Sequence, residues 1–392
     1  MKYFFIPGTN PTISLSELLA IFKNGQYSLI YGDIFVLESE VALDPGIIKK
    51  LGGTVKFGEI RVEKAAPAAL LNKLKSLVEP EKLEEGKFNF GLSYYGKKKL
   101  RTMELGMEIK KHLRARGVSC RWVTSKERVL SSVVVEQNKL LPAKGGLELV
   151  ILEDGDNCSI GITLAVQPFK ELSARDYGRP ARDDYSGMLP PKLAQIMINL
   201  SRRSKGSEAA DAVILDPFCG SGTILTEAAL MGYERLIGSD ISKKAIEDSK
   251  KNFDWIKERS RLKTDCRFKN LSATELSRFI KPNSIDAIVT EPYLGPQRGK
   301  VEIKKIVRDL DKLYSDSLRE FKKVLKATGR IVMIWPVFTN GPQFLNPELH
   351  GLKIVRPFPN NFKDKIQLTG RNTMIYGREG QKVWREIVIL EK

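Results

Sequence analysis

The stretch Leu215-Asp216-Pro217-Phe218-Cys219-Gly220-Ser221-Gly222-Thr223 has the residue types of a ligand cradle. Gly220 and Gly222 allow a tight turn and let a ligand approach bare backbone. Asp216 ends an apolar run as an acceptor. In an open parallel sheet, ligands bind at the carboxyl ends of the strands. Three cofactor classes compete for such a turn. A nucleoside-triphosphate loop needs Gly-Lys-Ser/Thr, but Gly222 is followed by Thr223-Ile224. A dinucleotide site needs Gly or Ala three residues after its second glycine, and Leu225 stands there. S-adenosylmethionine has no pyrophosphate and needs no third glycine. Asp216 suits its α-ammonium or orders the loop, and its ribose hydroxyls suit a carboxylate at Asp240, at the end of the next strand. Asp240 alone would equally serve NAD, so Leu225 and the loop decide for S-adenosylmethionine. Phe218, Ser221, Thr223 and Ile241 complete the expected cofactor set. Ser272 and Ala273, after the third strand, are expected near the adenine. The bland alternative is an ordinary glycine turn.

A second stretch, Val289-Thr290-Glu291-Pro292-Tyr293-Leu294-Gly295-Pro296, follows an apolar run that reads as a strand. It places Glu291, Pro292, Tyr293 and Leu294 at a strand end. A carboxylate and a proline-fixed backbone carbonyl are two acceptors for an exocyclic amine. They draw its protons out of the ring plane, free the lone pair and stabilise the developing positive charge. An aromatic face stacks on a flipped base. The bland alternative is a solvated strand-end acid beside a core ring.

The elements that must position these residues alternate. From 211 to 392, strand-like runs such as "DAVILDPF", "RLIGSD", "CRFKNLS", "IDAIVTEP" and "GRIVMIWPVF" alternate with helix-like ones. The end, "NTMIYGREGQKVWREIVILE", reads as a strand hairpin. This pattern predicts an α/β domain, a mostly parallel sheet covered on both faces, of the class I methyltransferase Rossmann-like kind. Residues 1–62 read β-α-β-β-α-β, a ferredoxin-like unit. In the following α+β block, "PAALLNKLKSLV" and "TMELGMEIKKHLRARG" read as helices, and "SCRWVTS" and "SSVVVEQ" as strands. Lys97, Lys98, Lys99, Arg101, Lys111, Arg114, Arg116 and Arg121 cluster there with Tyr94, Tyr95 and Trp122, a mixture suited to RNA phosphates and base stacking, the bland alternative, favoured for any single residue, being a solvated helix face with core aromatics. In a connector, Arg175, Arg179 and Arg182 suit either phosphate or cofactor carboxylate, or ion pairs with Asp176, Asp183 or Asp184. The expected division is a ferredoxin-like domain at 1–65, an RNA-binding domain at 66–167, a connector with an amphipathic helix at 168–205 and a catalytic domain at 206–392.

The 392 residues carry 65 Lys and Arg against 47 Asp and Glu, a formal net charge of +18. That excess favours a polyanionic partner, nucleic acid first, over general solubility alone. Four scattered cysteines and two histidines argue against a zinc site and for a reduced, cytoplasmic protein. No run approaches the roughly 18 apolar residues of a membrane span.

With these motifs in view, the chain resembles the THUMP-domain family of tRNA guanine-N2 methyltransferases, which act on guanosine at position ten. "RDYGRPARDDYSGMLPPKLAQIMINL" (175–200) is similar to the family's segment before its catalytic domain, and "LDPFCGSGT" to its first cofactor motif. The resemblance implies S-adenosylmethionine as donor, structured tRNA as partner, no membrane, and a small activator subunit or none. It implies a THUMP domain that docks the tRNA, typically at its 3′ end. The departure is at the second stretch. The family carries Asp-Pro-Pro-Tyr-Gly. Counted back from Gly295, Glu291 takes the Asp place, Pro292 stays, Tyr293 takes the second Pro and Leu294 takes the Tyr. The alternatives are methylation of a ribosomal RNA guanine or an adenine amino group, or a non-catalytic cofactor- and RNA-binding protein.

Overall fold

The computed structural model describes residues 1–22, 25–30, 33–78, 87–182, 188–202, 211–296, 302–339, 343–358, 362 and 366–392. The chain divides into two compact units. Unit 1 holds residues 1–11, 24–49 and 54–169, and unit 2 holds 12–23, 50–53 and 170–392.

Unit 1 is built on eight strands: β1 (Lys2–Pro7), β2 (Gln26–Ile30), β3 (Ile34–Glu38), β4 (Thr54–Ala65), β5 (Phe88–Tyr95), β6 (Cys120–Val123), β7 (Gly146–Asp154) and β8 (Asn157–Val166). Among the described residues they form one sheet in the order β2-β3-β1-β4-β8-β7-β5-β6. The first four strands keep the ferredoxin-like order. The expected boundary after residue 65 does not interrupt the sheet, because β4 pairs antiparallel with β8. The second helix expected within residues 1–62 is a short 3-10 segment, Pro45–Lys50.

One expected strand is a helix. "SSVVVEQ" forms a short helix, Ser132–Gln137. Its three adjacent valines favour a strand by propensity. The Ser131 hydroxyl nevertheless caps the first turn, accepting from Val134 N–H at 3.2 Å, and Val135 is buried with Leu130, Leu140 and Leu141. Capping and tertiary burial outweigh a weak local preference.

Residues 12–23, most of helix α1 (Pro11–Ile21), belong to unit 2 although they lie between β1 and β2 in sequence. The buried Glu17 carboxylate explains this. It accepts from Gly52 N–H at 2.9 Å, Gly53 N–H at 2.8 Å and Asn199 Nδ2 at 2.7 Å, all within unit 2. A charge-bearing group this deep needs such partners.

The rest of unit 2 runs α2 (Phe169–Tyr177, its first residue counted with unit 1), α3 (Pro191–Leu200), β9 (Val213–Asp216), α4 (Thr223–Leu230), β10 (Arg235–Asp240), α5 (Lys243–Ser260), β11 (Asp265–Asn270), β12 (Ile285–Thr290), α6 (Ile303–Val324), β13 (Leu325–Phe338) and β14 (Lys353–Ile354), then β15 (Met374–Tyr376) and β16 (Val383–Glu391). The main sheet order is β11-β10-β9-β12-β13-β16-β14. β9 to β13 pair parallel with one another, and β16 runs antiparallel to β13. β15 pairs antiparallel with β16, the hairpin expected at the end. Apolar layers cover both faces. One gathers Leu193, Met197, Leu225 and Phe253, the other Leu310, Tyr314, Leu318 and Phe321 from α6. The chain steps from β9 outward to β10 and β11, then returns to β12 on the other side of β9. That reversal opens a crevice at the strands' carboxyl ends.

Candidate active site

A cleft of ≈ 630 Å³ occupies that crevice. The glycine loop from β9 into α4 forms one wall. Gly220 and Gly222 have φ of +49° and +85°, a region in which side chains are strained. Gly222 also abuts helix α5, and a Cβ there would lie 3.1 Å from Ser249 Oγ. Buried polar groups fix the loop. Ser249 Oγ donates to the Gly220 carbonyl at 2.7 Å, and Asn252 Nδ2 donates to the Ser221 carbonyl at 2.8 Å. Asp240 accepts from Gly220 N–H at 3.0 Å through one oxygen and from Ser242 N–H at 2.9 Å through the other. The strand-end acid therefore ties the loop to the start of α5 while lining the cleft.

Asp216 is buried beneath the loop. Its Oδ1 accepts from Thr290 Oγ1 at 2.7 Å and Phe218 N–H at 3.2 Å. Burial pushes its carboxyl up to about 7, against the pull of those hydrogen bonds, and the nearby Asp240 and Glu291 add to the rise.

The opposite wall is the turn after β12. Glu291 and Arg385 of β16 form an ion pair, Arg385 Nε donating to Glu291 Oε1 at 2.6 Å. Their side chains are 12% and 16% exposed, so this is a sheltered pair and not a solvated strand-end acid. Pro292 and Leu294 are buried. Tyr293 is 56% exposed and lines the cleft. Its carbonyl accepts from the buried Tyr314 hydroxyl at 2.9 Å, which anchors the turn while leaving the ring outside the core.

Of the fourteen residues expected at the two motifs, only Gly222 is absent from the cleft lining, because it faces α5. Ile241 stands 76% exposed beside Asp240, an apolar face at the rim. Ser272 lines the cleft, but its hydroxyl also caps the next 3-10 turn, accepting from Thr274 N–H at 3.2 Å. Sequence reasoning missed Arg385, Lys244, Asp248, Met188 and Leu313, which also line the cleft. Arg385 lies 94 residues from Glu291 and no local spacing marks it. Lys244 and Asp248 share a helix face at i, i+4, a signal available in "SKKAIEDS".

The connector arginines have protein partners. Arg175 forks onto buried Glu227 at 2.6 and 3.1 Å, and Arg179 Nη1 donates to Thr223 Oγ1 at 2.6 Å. Arg182 donates to the Tyr177 carbonyl and stacks over that ring. Asp183 and Asp184 lie outside the described residues. In unit 1, Lys97, Lys98, Lys99, Arg101, Lys111, Arg114, Arg116 and Arg121 are all exposed. Lys98, Arg101 and Lys111 pair with Asp156, Glu104 and Glu108. Tyr94 and Trp122 follow the core alternative. Tyr94 is buried and donates to Glu153 at 2.6 Å, and Trp122 stacks on Phe90 with centroids 6.4 Å apart. Both rings pack the unit's own core, where their large apolar area is worth more than exposure.

The cleft's donor set fits S-adenosylmethionine. Asp216 suits an ammonium, Asp240 ribose hydroxyls, and Ile241 with Ala273 an adenine face. The loop lacks the lysine and third small residue that phosphates would need. Sheet and cleft together define a class I methyltransferase domain of the Rossmann-like kind.

The comparisons carry the assignment further. A family model described as "RMKL-like, methyltransferase domain" matches residues 179–345, and one described as "DNA methylase" matches 83–251. A tRNA (guanine(10)-N2)-dimethyltransferase of Methanothermobacter thermautotrophicus is 36% identical over 165 residues, 42% of each chain. A probable tRNA (guanine(10)-N2)-dimethyltransferase of Methanothermococcus thermolithotrophicus is 35% identical over 117 residues, 28% of this chain and 67% of that one. The crystal structure of TrmN from Thermus thermophilus aligns over 100% of both chains with a TM-score of 0.54 and 20% identity, a likeness of fold. The chain belongs to the family of tRNA guanine-N2 methyltransferases. It spans about half the length of the curated relatives it matches.

Proposed function

We propose that this protein transfers a methyl group from S-adenosylmethionine to the exocyclic 2-amino group of a guanine in tRNA, at the position ten named for its relatives. One observation carries the reading: the glycine loop and the Glu291–Leu294 turn open into the same cleft. When bound, S-adenosylmethionine supplies an electrophilic methyl group. Asp216 and Asp240 hold its polar ends from the loop side. Glu291 accepts a hydrogen bond from the target amine and stabilises the positive charge that grows on the nitrogen. Arg385 holds that carboxylate in place through Nε. Pro292 restricts the turn so that its backbone carbonyl serves as the second acceptor. The exposed Tyr293 ring supplies the stacking face for the flipped base, standing in for the family's displaced aromatic. Unit 1 serves as the ferredoxin-like and THUMP-type part that docks the tRNA. A cytoplasmic location accompanies this activity, in keeping with four free cysteines. Among the described residues, no helix is long and apolar enough to cross a membrane.

The test is nucleoside mass spectrometry of tRNA and ribosomal RNA after incubation with the protein and labelled S-adenosylmethionine. N2-methylated guanosine from tRNA is expected. Label in ribosomal RNA alone, label in adenosine, or cofactor binding with no transfer overturns the reading.

A further inference from the structure

Helix α6 touches the proposed active site along one face. The backbone at Gly295 passes close to it, 3.2 Å separating Ile306 Cγ2 from where a Cβ would stand. Leu313 lines the cleft, and Tyr314 anchors the Tyr293 carbonyl. The face turned away from the core carries Lys304, Lys305, Arg308, Lys312, Arg319, Lys322 and Lys323, all exposed. At 100° per residue these seven fall within a wedge roughly 100° wide, and the helix's acids, Asp309, Asp311, Asp316 and Glu320, fall outside it. On α5, Lys243, Lys244, Lys250, Lys251 and Lys257 interleave with Glu247, Asp248, Asp254 and Glu258.

The stripe is not uniform along its length. At the end away from the catalytic turn, Arg319 pairs with Asp316, Lys323 with Glu320 at 2.5 Å, and Lys322 Nζ donates to the His350 carbonyl at 2.5 Å. At the catalytic end, Lys304 and Lys305 have no carboxylate partner among the described residues, and Arg308 reaches Asp309 only at 3.9 Å. Exposed cations without internal partners are the ones that neutralise phosphates and release counterions.

We infer that Lys304, Lys305 and Arg308 form an RNA-backbone contact site in unit 2 that seats the strand flanking the target base. The inference rests on the RNA reading above. Phosphate contacts position and do not read sequence, so the site sets register and leaves base choice to the cleft. Three contacts contribute about three units to the slope of log affinity against log salt.

The test compares wild type with the triple variant Lys304→Gln, Lys305→Gln, Arg308→Gln, which keeps good helix formers, and with Arg319→Gln, Lys322→Gln, Lys323→Gln as the control at the paired end. Binding of unmodified tRNA is measured without cofactor from 50 to 300 mM KCl, and turnover separately. The expected result for the first variant is a salt slope shallower by about three, a KM for tRNA raised roughly tenfold or more, and unchanged kcat and S-adenosylmethionine affinity. The control keeps the wild-type slope. A wild-type slope in the first variant, or equal losses in both, overturns the inference. Should wild type bind tRNA but methylate none, the proposed function fails, while the binding slope still decides this site.

Discussion

The two walls of the cleft are built in opposite ways. The glycine loop is held by several independent hydrogen bonds, from Asp240, Ser249, Asn252 and Arg179, and by close packing on α5. Among the described residues, the turn after β12 is held at two points, the Glu291–Arg385 pair and the Tyr314 hydroxyl on the Tyr293 carbonyl, above a buried Pro292 and Leu294. A wall fixed by many partners tolerates little change in its residues. A wall fixed by few accommodates a longer carboxylate and a shifted aromatic. The departure from Asp-Pro-Pro-Tyr falls on the second wall, which is where this difference in construction allows it.

Glu291→Ala is expected to lower kcat by about 10²- to 10³-fold, the cost of losing one charge-stabilising acceptor, with cofactor affinity within about twofold. Full activity would remove the residue from catalysis and leave the turn a structural one. Asp240→Ala should do the converse. It removes the proposed ribose acceptor and two loop hydrogen bonds, so S-adenosylmethionine binding by calorimetry is expected to weaken about 10- to 100-fold, together with a lower melting temperature. Unchanged affinity would detach Asp240 from the cofactor.

Asp216 gives a smaller effect of two opposite signs. Its carboxyl is raised to about 7 in the fold by burial. A raised acid binds its proton more tightly when folded, so its contribution to stability is complete below about pH 4 and is lost as pH rises through about 7. Holding the cofactor ammonium requires the ionised form. From pH 6 to 8, the melting temperature should therefore fall while cofactor affinity rises by roughly tenfold, and Asp216→Asn should flatten both slopes. Parallel slopes, or slopes that persist in the variant, would show that another group titrates.

The cofactor half of the site was legible because its chemistry is local. A glycine turn and its flanking strand-end acids lie close along the chain, and the strand–helix alternation that carries them is a periodicity of sequence. The acceptor turn was legible as a place, a strand end with an acid, a proline and a ring. Its partner Arg385 was not, because antiparallel pairing of β16 with β13 brings the arginine across the sheet to the turn. Local reading also failed where a cap and burial overruled valine propensity at Ser132–Gln137.

From residue types and spacing alone, the chain specified a methyltransferase-like sheet and a loop suited to S-adenosylmethionine, and marked a strand-end acid, proline and ring as an expected amine site, since each depends on backbone conformation and side chains close in sequence. Only the tertiary structure decided that most of α1 belongs with unit 2, that Tyr94 and Trp122 pack a core, that Arg385 pairs with Glu291 and that Ile306 and Tyr314 of α6 lie against the turn after β12. Those features depend on burial and on contacts between residues far apart in the chain, which spacing along the sequence does not encode.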